Sequence, residues 1–173
     1  LWAKSELLEE WPPFLTGGEM IREVWIDRAT WADPPAKFEA GTPPIAQAIG
    51  LAAAVDYLEG IGMDQVQNHG KELTAQALEG LLSRPFVEVY GPHDAGKRGA
   101  LVAFNLRGIH PHDVATLLDQ EGICIRAGHH CAQPLHRKMG IAASCRASFY
   151  IYNTREEVEK FLAAVDWVWE EMK

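Results

Sequence analysis

VEVYGPHDAGKRGALVAFN, residues 87–105, decides the fold. Two apolar runs with a period of two, VEVY (87–90) and ALVAFN (100–105), flank the turn-rich GPHDAGKRG. Alternation of this kind predicts two strands, since successive side chains of a strand point to opposite faces. Glycine, proline and aspartate between them predict a connection rather than a continuing strand.

The pattern spreads outward from this pair. PHDVATLLDQEG (111–122) predicts a short helix, with Pro111 near its start and Gly122 past its end. ICIRA (123–127) and ASFYIY (147–152) predict two more strands. Thr154 and Glu157 have the spacing of a capping box for a last helix, in which Val158, Phe161, Leu162, Val165, Trp169 and Met172 recur at helical spacing. Upstream, Asp64 is the expected cap of DQVQNHGKELTAQALEGLL, with Gln67 at its third helical position and an apolar stripe of Val66, Leu73, Ala77 and Leu81. Residues 63–173 therefore predict a compact α+β unit, helices packed on a small, mostly antiparallel sheet.

Residues 1–62 are less self-contained. SELLEEW (5–11) predicts a short helix capped by Ser5 and stopped by Pro12-Pro13. Residues 12–44 hold PPF, TGGEM, ADPPAK and AGTPP, with one strand-like run, REVWI (22–26). So long a loop is usually functional or packed by a partner. IAQAIGLAAAVDYLEGIG (45–62) is helical but apolar nearly all round, which predicts burial on most sides. These residues look like the edge of something larger.

Composition narrows the function. The chain has 173 residues, 47% of them apolar, and a formal net charge of −8. It carries no Lys/Arg-rich run, which argues against nucleic acid or an anionic membrane as partner. Its apolar runs fall short of a membrane span, and LWAKSELLEEW lacks the features of a secretory signal. Three cysteines without pair-like spacing do not suggest a disulfide framework and fit a reducing cytoplasm.

Chemistry concentrates in RAGHHCAQPLH (126–136), which gathers Arg126, His129, His130, Cys131 and His136. Metal ligation is one reading, but adjacent residues rarely converge on one tetrahedral site, and no CxxC or HxxxH pair supports it. A small buried apolar thiol is the second. It suits Cys124, between Ile123 and Ile125, better than Cys131, which lies among imidazoles before a Gln-Pro turn. A reactive thiolate is the third, with Arg126, His129 and His130 as groups able to lower the thiol pKa. The residues alone leave a nucleophilic and a structural Cys131 both open.

RAGHHCAQPL resembles the active-cysteine loop of group II (Suf-type) cysteine desulfurases and selenocysteine lyases. SCRASFYIYNTREEV and FEAGTPPIAQAIGLAAAVDYL (38–58) resemble two further blocks of that family. The parent group is the class V aminotransferase-like, fold type I pyridoxal-phosphate (PLP) enzymes. The resemblance implies conversion of L-cysteine to L-alanine, with PLP as electron sink and a persulfide formed on Cys131. The sulfur then passes to an acceptor protein or to iron–sulfur cluster assembly; selenocysteine is the alternative substrate. It assigns the substrate carboxylate to Arg146, whose guanidinium fork suits two parallel bonds. It leaves Arg126 either assisting at the loop's base or in a structural pair. Thr42, in EAGTP, matches a residue that reaches the PLP phosphate of a neighbouring subunit; the plainer reading is a turn before the next helix. His129 and His130 either shape the loop or move protons, and the choice stays open.

The resemblance also implies what is not here. The family's Schiff-base lysine lies in a His-Lys pair, and none of Lys4, Lys37, Lys71, Lys97, Lys138, Lys160 and Lys173 matches it. The expectation is a C-terminal piece. Residues 1–62 would be a remnant of the large PLP-binding domain and the interdomain or dimer segment, and 63–173 the small domain carrying the cysteine loop. Such a chain is expected to be inactive alone, and to form a homo-oligomer or pair with a large domain. The alternative is a standalone sulfur-accepting or protein-binding module without PLP chemistry.

Overall fold

A computed structural model describes residues 2–173. The chain divides into two compact units, one ending at Tyr57 and one running Leu58–Lys173.

In the first unit, α1 (Ser5–Glu10) starts at the residue expected to cap it, so its cap lies one residue earlier. Lys4 is the N-cap and makes no side-chain bond; Ser5 is already helical. The carbonyls of Leu8 and Glu9, left without helical partners at the end of α1, accept from Lys37 Nζ at 3.0 Å each. Residues 12–44 are not structureless. Strands β1 (Ile21–Val24) and β2 (Ala29–Trp31) form an antiparallel hairpin, and a 3-10 turn follows at Ala36–Phe38. The second strand is too short for an alternating signal, which is why the sequence shows only one.

Helix α2 (Ile45–Ile61) crosses the division between the units. Its expected burial is not met: no residue of it is buried, and Ile45, Ile49, Leu51, Val55 and Tyr57 are exposed. Apolarity all round records a need for cover, and the cover is not supplied by this chain.

The second unit is α+β, two layers deep. Strands β3 (Val87–Tyr90), β4 (Leu101–Leu106), β5 (Arg126–Gly128) and β6 (Ser144–Ser148) form one sheet in the order β3-β4-β6-β5, antiparallel throughout. Alternation along β4 is strict: Val102, Phe104 and Leu106 are buried, Leu101, Ala103 and Asn105 half-buried. The buried face packs on α3 (Met63–Leu82), α4 (Pro111–Gln120) and α6 (Arg155–Glu171), whose core side chains include Leu73, Leu81, Val114, Leu118, Phe161 and Val165. The opposite face carries no helix of this core. Fully burying each such aliphatic or aromatic side chain contributes about 1.5–3 kcal/mol.

Several ends differ from expectation. Gly62, at φ 92°, is the N-cap of α3; Asp64 lies inside the first turn, favourable there for its charge rather than as a cap. Strand β5 begins only at Arg126, and β6 covers Ser144–Ser148 instead of 147–152. The capping box of α6 is present: Glu157 N donates to Thr154 Oγ1 at 3.2 Å and Thr154 N to Glu157 Oε2 at 3.0 Å. Arg84, just past α3, clamps α6 with two bonds to Asp166 at 2.6 and 2.5 Å, Nη2 donating also to the Leu162 carbonyl and Nη1 to the Gly80 carbonyl.

Candidate active site at the cysteine turn

The site grows from β6. Cys145 and Ala147 point into the core, so by the two-residue period Ser144 and Arg146 belong to the face turned away from α3, α4 and α6. Arg146 pairs across the sheet with Ala103 on one side and Arg126 on the other. Two guanidinium residues directly opposite each other repel, and an anion bound between them would relieve that repulsion. Arg146 Nε is also buried without a hydrogen-bond partner, an unmet donor on the same face.

After Gly128 the chain leaves β5 and turns at once. Ala132 N donates to the His129 carbonyl at 2.8 Å, closing a four-residue turn around His130 (φ 51°) and Cys131 (φ 59°). Positive φ at both central positions is the pattern of a type I′ turn, which normally holds Asn-Gly. A non-glycine residue held there costs on the order of 1–3 kcal/mol. The turn then feeds α5 (Gln133–Met139), with Pro134 in its first turn and Gly140 at φ 72° ending it. The sequence reading missed this helix and took Gln133-Pro134 for a turn; proline at the first helical positions was the available signal.

Cys131 is exposed, and its Sγ lies 3.9 Å from Arg126 Nη2. The expectation of a buried Cys124 is not met. Cys124 is exposed, and Cys145 is buried. Ile123 and Ile125 both pack against the core, so alternation turns Cys124 outward. Burial pushes the Cys145 thiol up to about 12.

The turn is tied to β6 through its imidazoles. His130 Nε2 is 2.9 Å from the Ser144 carbonyl and 3.1 Å from Ser144 Oγ. His136, buried on α5, places Nε2 3.1 Å from the same Oγ and Nδ1 3.0 Å from the Ala132 carbonyl. Burial, and then the charge of Arg146 beside it, hold the His130 pKa below the usual histidine value against the raising effect of the Ser144 carbonyl. His129 is exposed, its ring centroid 5.7 Å from that of His136.

The second unit thus brings Arg126, Cys131 and Arg146 to one edge of one sheet face. Thr42 lies in the first unit, exposed, after Gly41 at φ 80°. Lys37 is the buried lysine of the described residues, and its Nζ is committed to the α1 carbonyls. No helix of the described residues is long and apolar enough to cross a membrane.

A model of the aminotransferase class-V family matches residues 1–161. The chain is 55% identical over 166 residues to a cysteine desulfurase of Haloferax volcanii, covering 96% of this chain and 39% of that protein. It is 51% identical over 168 residues to a probable cysteine desulfurase of Streptomyces coelicolor, covering 97% of this chain and 40% of that one. Among solved structures, the cysteine desulfurase CsdA of Escherichia coli, described as S-sulfonic acid, superposes with a TM-score of 0.89 at 40% identity, over 98% of this chain and 41% of the other. Apo cysteine desulfurase from Thermococcus onnurineus superposes with a TM-score of 0.90 at 42% identity, over 96% and 42%. The chain therefore spans about 40% of the length of the curated relatives it matches.

Proposed function

The chain belongs to the aminotransferase class-V family, and from that premise we propose that it supplies the sulfur-carrying part of a cysteine desulfurase. The observation that carries this reading is the exposed Cys131 thiol, held in a left-handed turn beside Arg126 at the edge where Arg126 and Arg146 oppose each other. The substrate is L-cysteine or selenocysteine. Arg146 takes the substrate carboxylate, the anion that its unmet Nε and the facing Arg126 call for. The Cys131 thiolate attacks the substrate sulfur. A sulfur–sulfur bond forms, the substrate's carbon–sulfur bond breaks with its electron pair left on carbon, and protonation there gives alanine. An acceptor protein with a thiol of its own takes the sulfur from Cys131.

PLP, when bound in such enzymes, supplies the electron sink. The residues of this chain do not build its site. Thr42 offers one hydroxyl beside an unhindered glycine, while Lys37, the buried lysine, already serves two carbonyls. We assign the remaining contacts to the length of the relatives that this chain does not span, with residues 1–62 as the strip bordering that domain and 63–173 as the small domain. The chain by itself is then inactive as a desulfurase.

The test has two arms. The chain is first given PLP and L-cysteine, then borohydride, and pyridoxyl groups are mapped by mass spectrometry. Weak labelling scattered over several lysines, with no alanine, is expected; one stoichiometric pyridoxyl-lysine with alanine would refute the inactivity. Second, a low-molecular-weight persulfide donor is added, and the modified thiol is mapped. Sulfane sulfur on Cys131 is expected, and sulfur on Cys124 alone would overturn the assignment.

A further inference from the structure

Two carbonyls fix the protons of the imidazole cluster. A carbonyl only accepts, so His130 Nε2, against the Ser144 carbonyl, carries a hydrogen, and so does His136 Nδ1, against the Ala132 carbonyl. With His136 neutral, its Nε2 is a lone pair, and Ser144 Oγ donates to it. That leaves Ser144 Oγ to accept from His130 Nε2. The chain of donors runs in one direction, from His130 through Ser144 to His136 and on to the Ala132 carbonyl. Each hydrogen has one consistent place.

The circuit returns to where it began. Ala132 is the last residue of the turn whose central residues are His130 and Cys131. So the two strained residues are held from both sides, His130 by its ring on β6 and Ala132 by the ring of His136. Histidine is among the residues that tolerate a left-handed backbone, but cysteine is not, so the pair of positive φ values needs these anchors most at Cys131. Ser144 is also two residues from Arg146 on the same strand face, and pairs with Gly128 at the start of the turn.

We propose that Ser144 and His136 are positioning residues for Cys131: acting through His130, they lock the turn in the one conformation that sets the thiol beside Arg126 and at a fixed distance along β6 from Arg146. His130 stays neutral in this arrangement. Its Nδ1 is buried with no hydrogen-bond partner; the groups whose charge acts on the ring are Arg146 on β6, His136 on α5 and Arg126 on β5, none of them an anion, while the neighbouring Cys131 thiol has Arg126 3.9 Å from its Sγ. A second ring hydrogen would have no partner and two positive neighbours, so the ring is a rigid strut across the working pH range, not a proton shuttle. The inference rests on Cys131 being the sulfur-bearing thiol, but its test does not use sulfur chemistry.

Long-range proton–nitrogen NMR of the histidine rings in the 173-residue chain reads the tautomers directly near neutral pH. The expected result is Nε2–H for His130 and Nδ1–H for His136; Nδ1–H at His130, or averaging of either ring, would overturn the proposal. Ser144→Ala and Ser144→Thr then separate positioning from mere stability. The readout is the ratio of iodoacetate to iodoacetamide rate at Cys131, with Cys124 in the same chain as reference. Arg126 favours the anionic reagent only while the turn holds. Ser144→Ala should lower that ratio by about threefold or more, while Cys124 is unchanged, and Ser144→Thr should restore it. An unchanged ratio in a folded Ser144→Ala would make the serine a packing residue only. If that variant does not fold, His136→Gln serves in its place with the same outcomes. Failure of persulfide mapping to find Cys131 would sink the sulfur-carrying role while leaving the tautomer and ratio results standing.

Discussion

Cys145 and Cys131 are fourteen positions apart and meet opposite fates, because β6 sends one inward and the turn sends the other out. Alkylation with peptide mapping should find Cys131 fastest, Cys124 slower and Cys145 silent until the chain unfolds. At pH 8 a thiol pushed up to about 12 leaves only on the order of 1 in 10,000 molecules as thiolate. Faster labelling of Cys124 than Cys131 would remove the role given to Arg126. The same burial has a stability consequence. In the unfolded chain the Cys145 thiol ionises at its ordinary value near 9, and in the folded chain not until about 12. The unfolded state therefore loses its proton first, and stability falls as pH rises between those values. Urea unfolding at pH 8 and pH 10.5 should show this fall smaller in Cys145→Ala than in the natural sequence; an equal fall would mean the thiol is not titrating. The loop RAGHHC stood out as the candidate site because polar residues crowd a glycine. The outward direction of Cys124 was not legible in the sequence reading, though the isoleucines at 123 and 125 carried the information.

At the scale of elements, the strands β3 and β4 and the helices α3, α4 and α6 were legible, since each is long enough for its period to repeat. Strand β2 and helix α5 were not: three and seven residues give at most about two repeats, too few to stand out. Their existence depends on pairing rather than on period, with the adjacent hairpin strand for one and the Ser144–His136 bond for the other. The packing of α3 on α6 offers a quantitative check at Gly80. A Cβ there would stand 2.3 Å from Leu162 Cδ1, inside contact distance. Alanine gains about 1 kcal/mol of helix propensity over glycine, while overpacking typically costs about 1–3 kcal/mol. Gly80→Ala should therefore destabilise by about 1 kcal/mol overall. Gly80→Ala with Leu162→Ala should be more stable than the sum of the two single changes, by about 1 kcal/mol or more in a double-mutant cycle. Strict additivity in denaturant unfolding would show that Leu162 simply moves aside.

The whole molecule leaves apolar surface uncovered in quantity. Phe14 is 91% exposed, Ile49 66% and Leu51 68%, beyond what scattered surface residues explain. Self-association of the isolated chain is the expected result, rising with concentration in sedimentation velocity. A single monomer species across a hundredfold concentration range would show that this surface needs no cover. Charge does not oppose association strongly, since a net −8 on 173 residues is screened beyond about 8 Å at physiological salt. Helix α2 gives the finest gauge of whether cover has arrived. None of its 17 residues is fully buried, and in proteins most helical stability comes from tertiary packing rather than from propensity. Its backbone amides should thus trade hydrogen for deuterium within seconds, while those of α3, anchored by Leu73, Ala77 and Leu81, hold theirs far longer. Whatever binds along α2 will be recorded there as a slowed isotopic clock, legible residue by residue, before any change in mass or activity announces it.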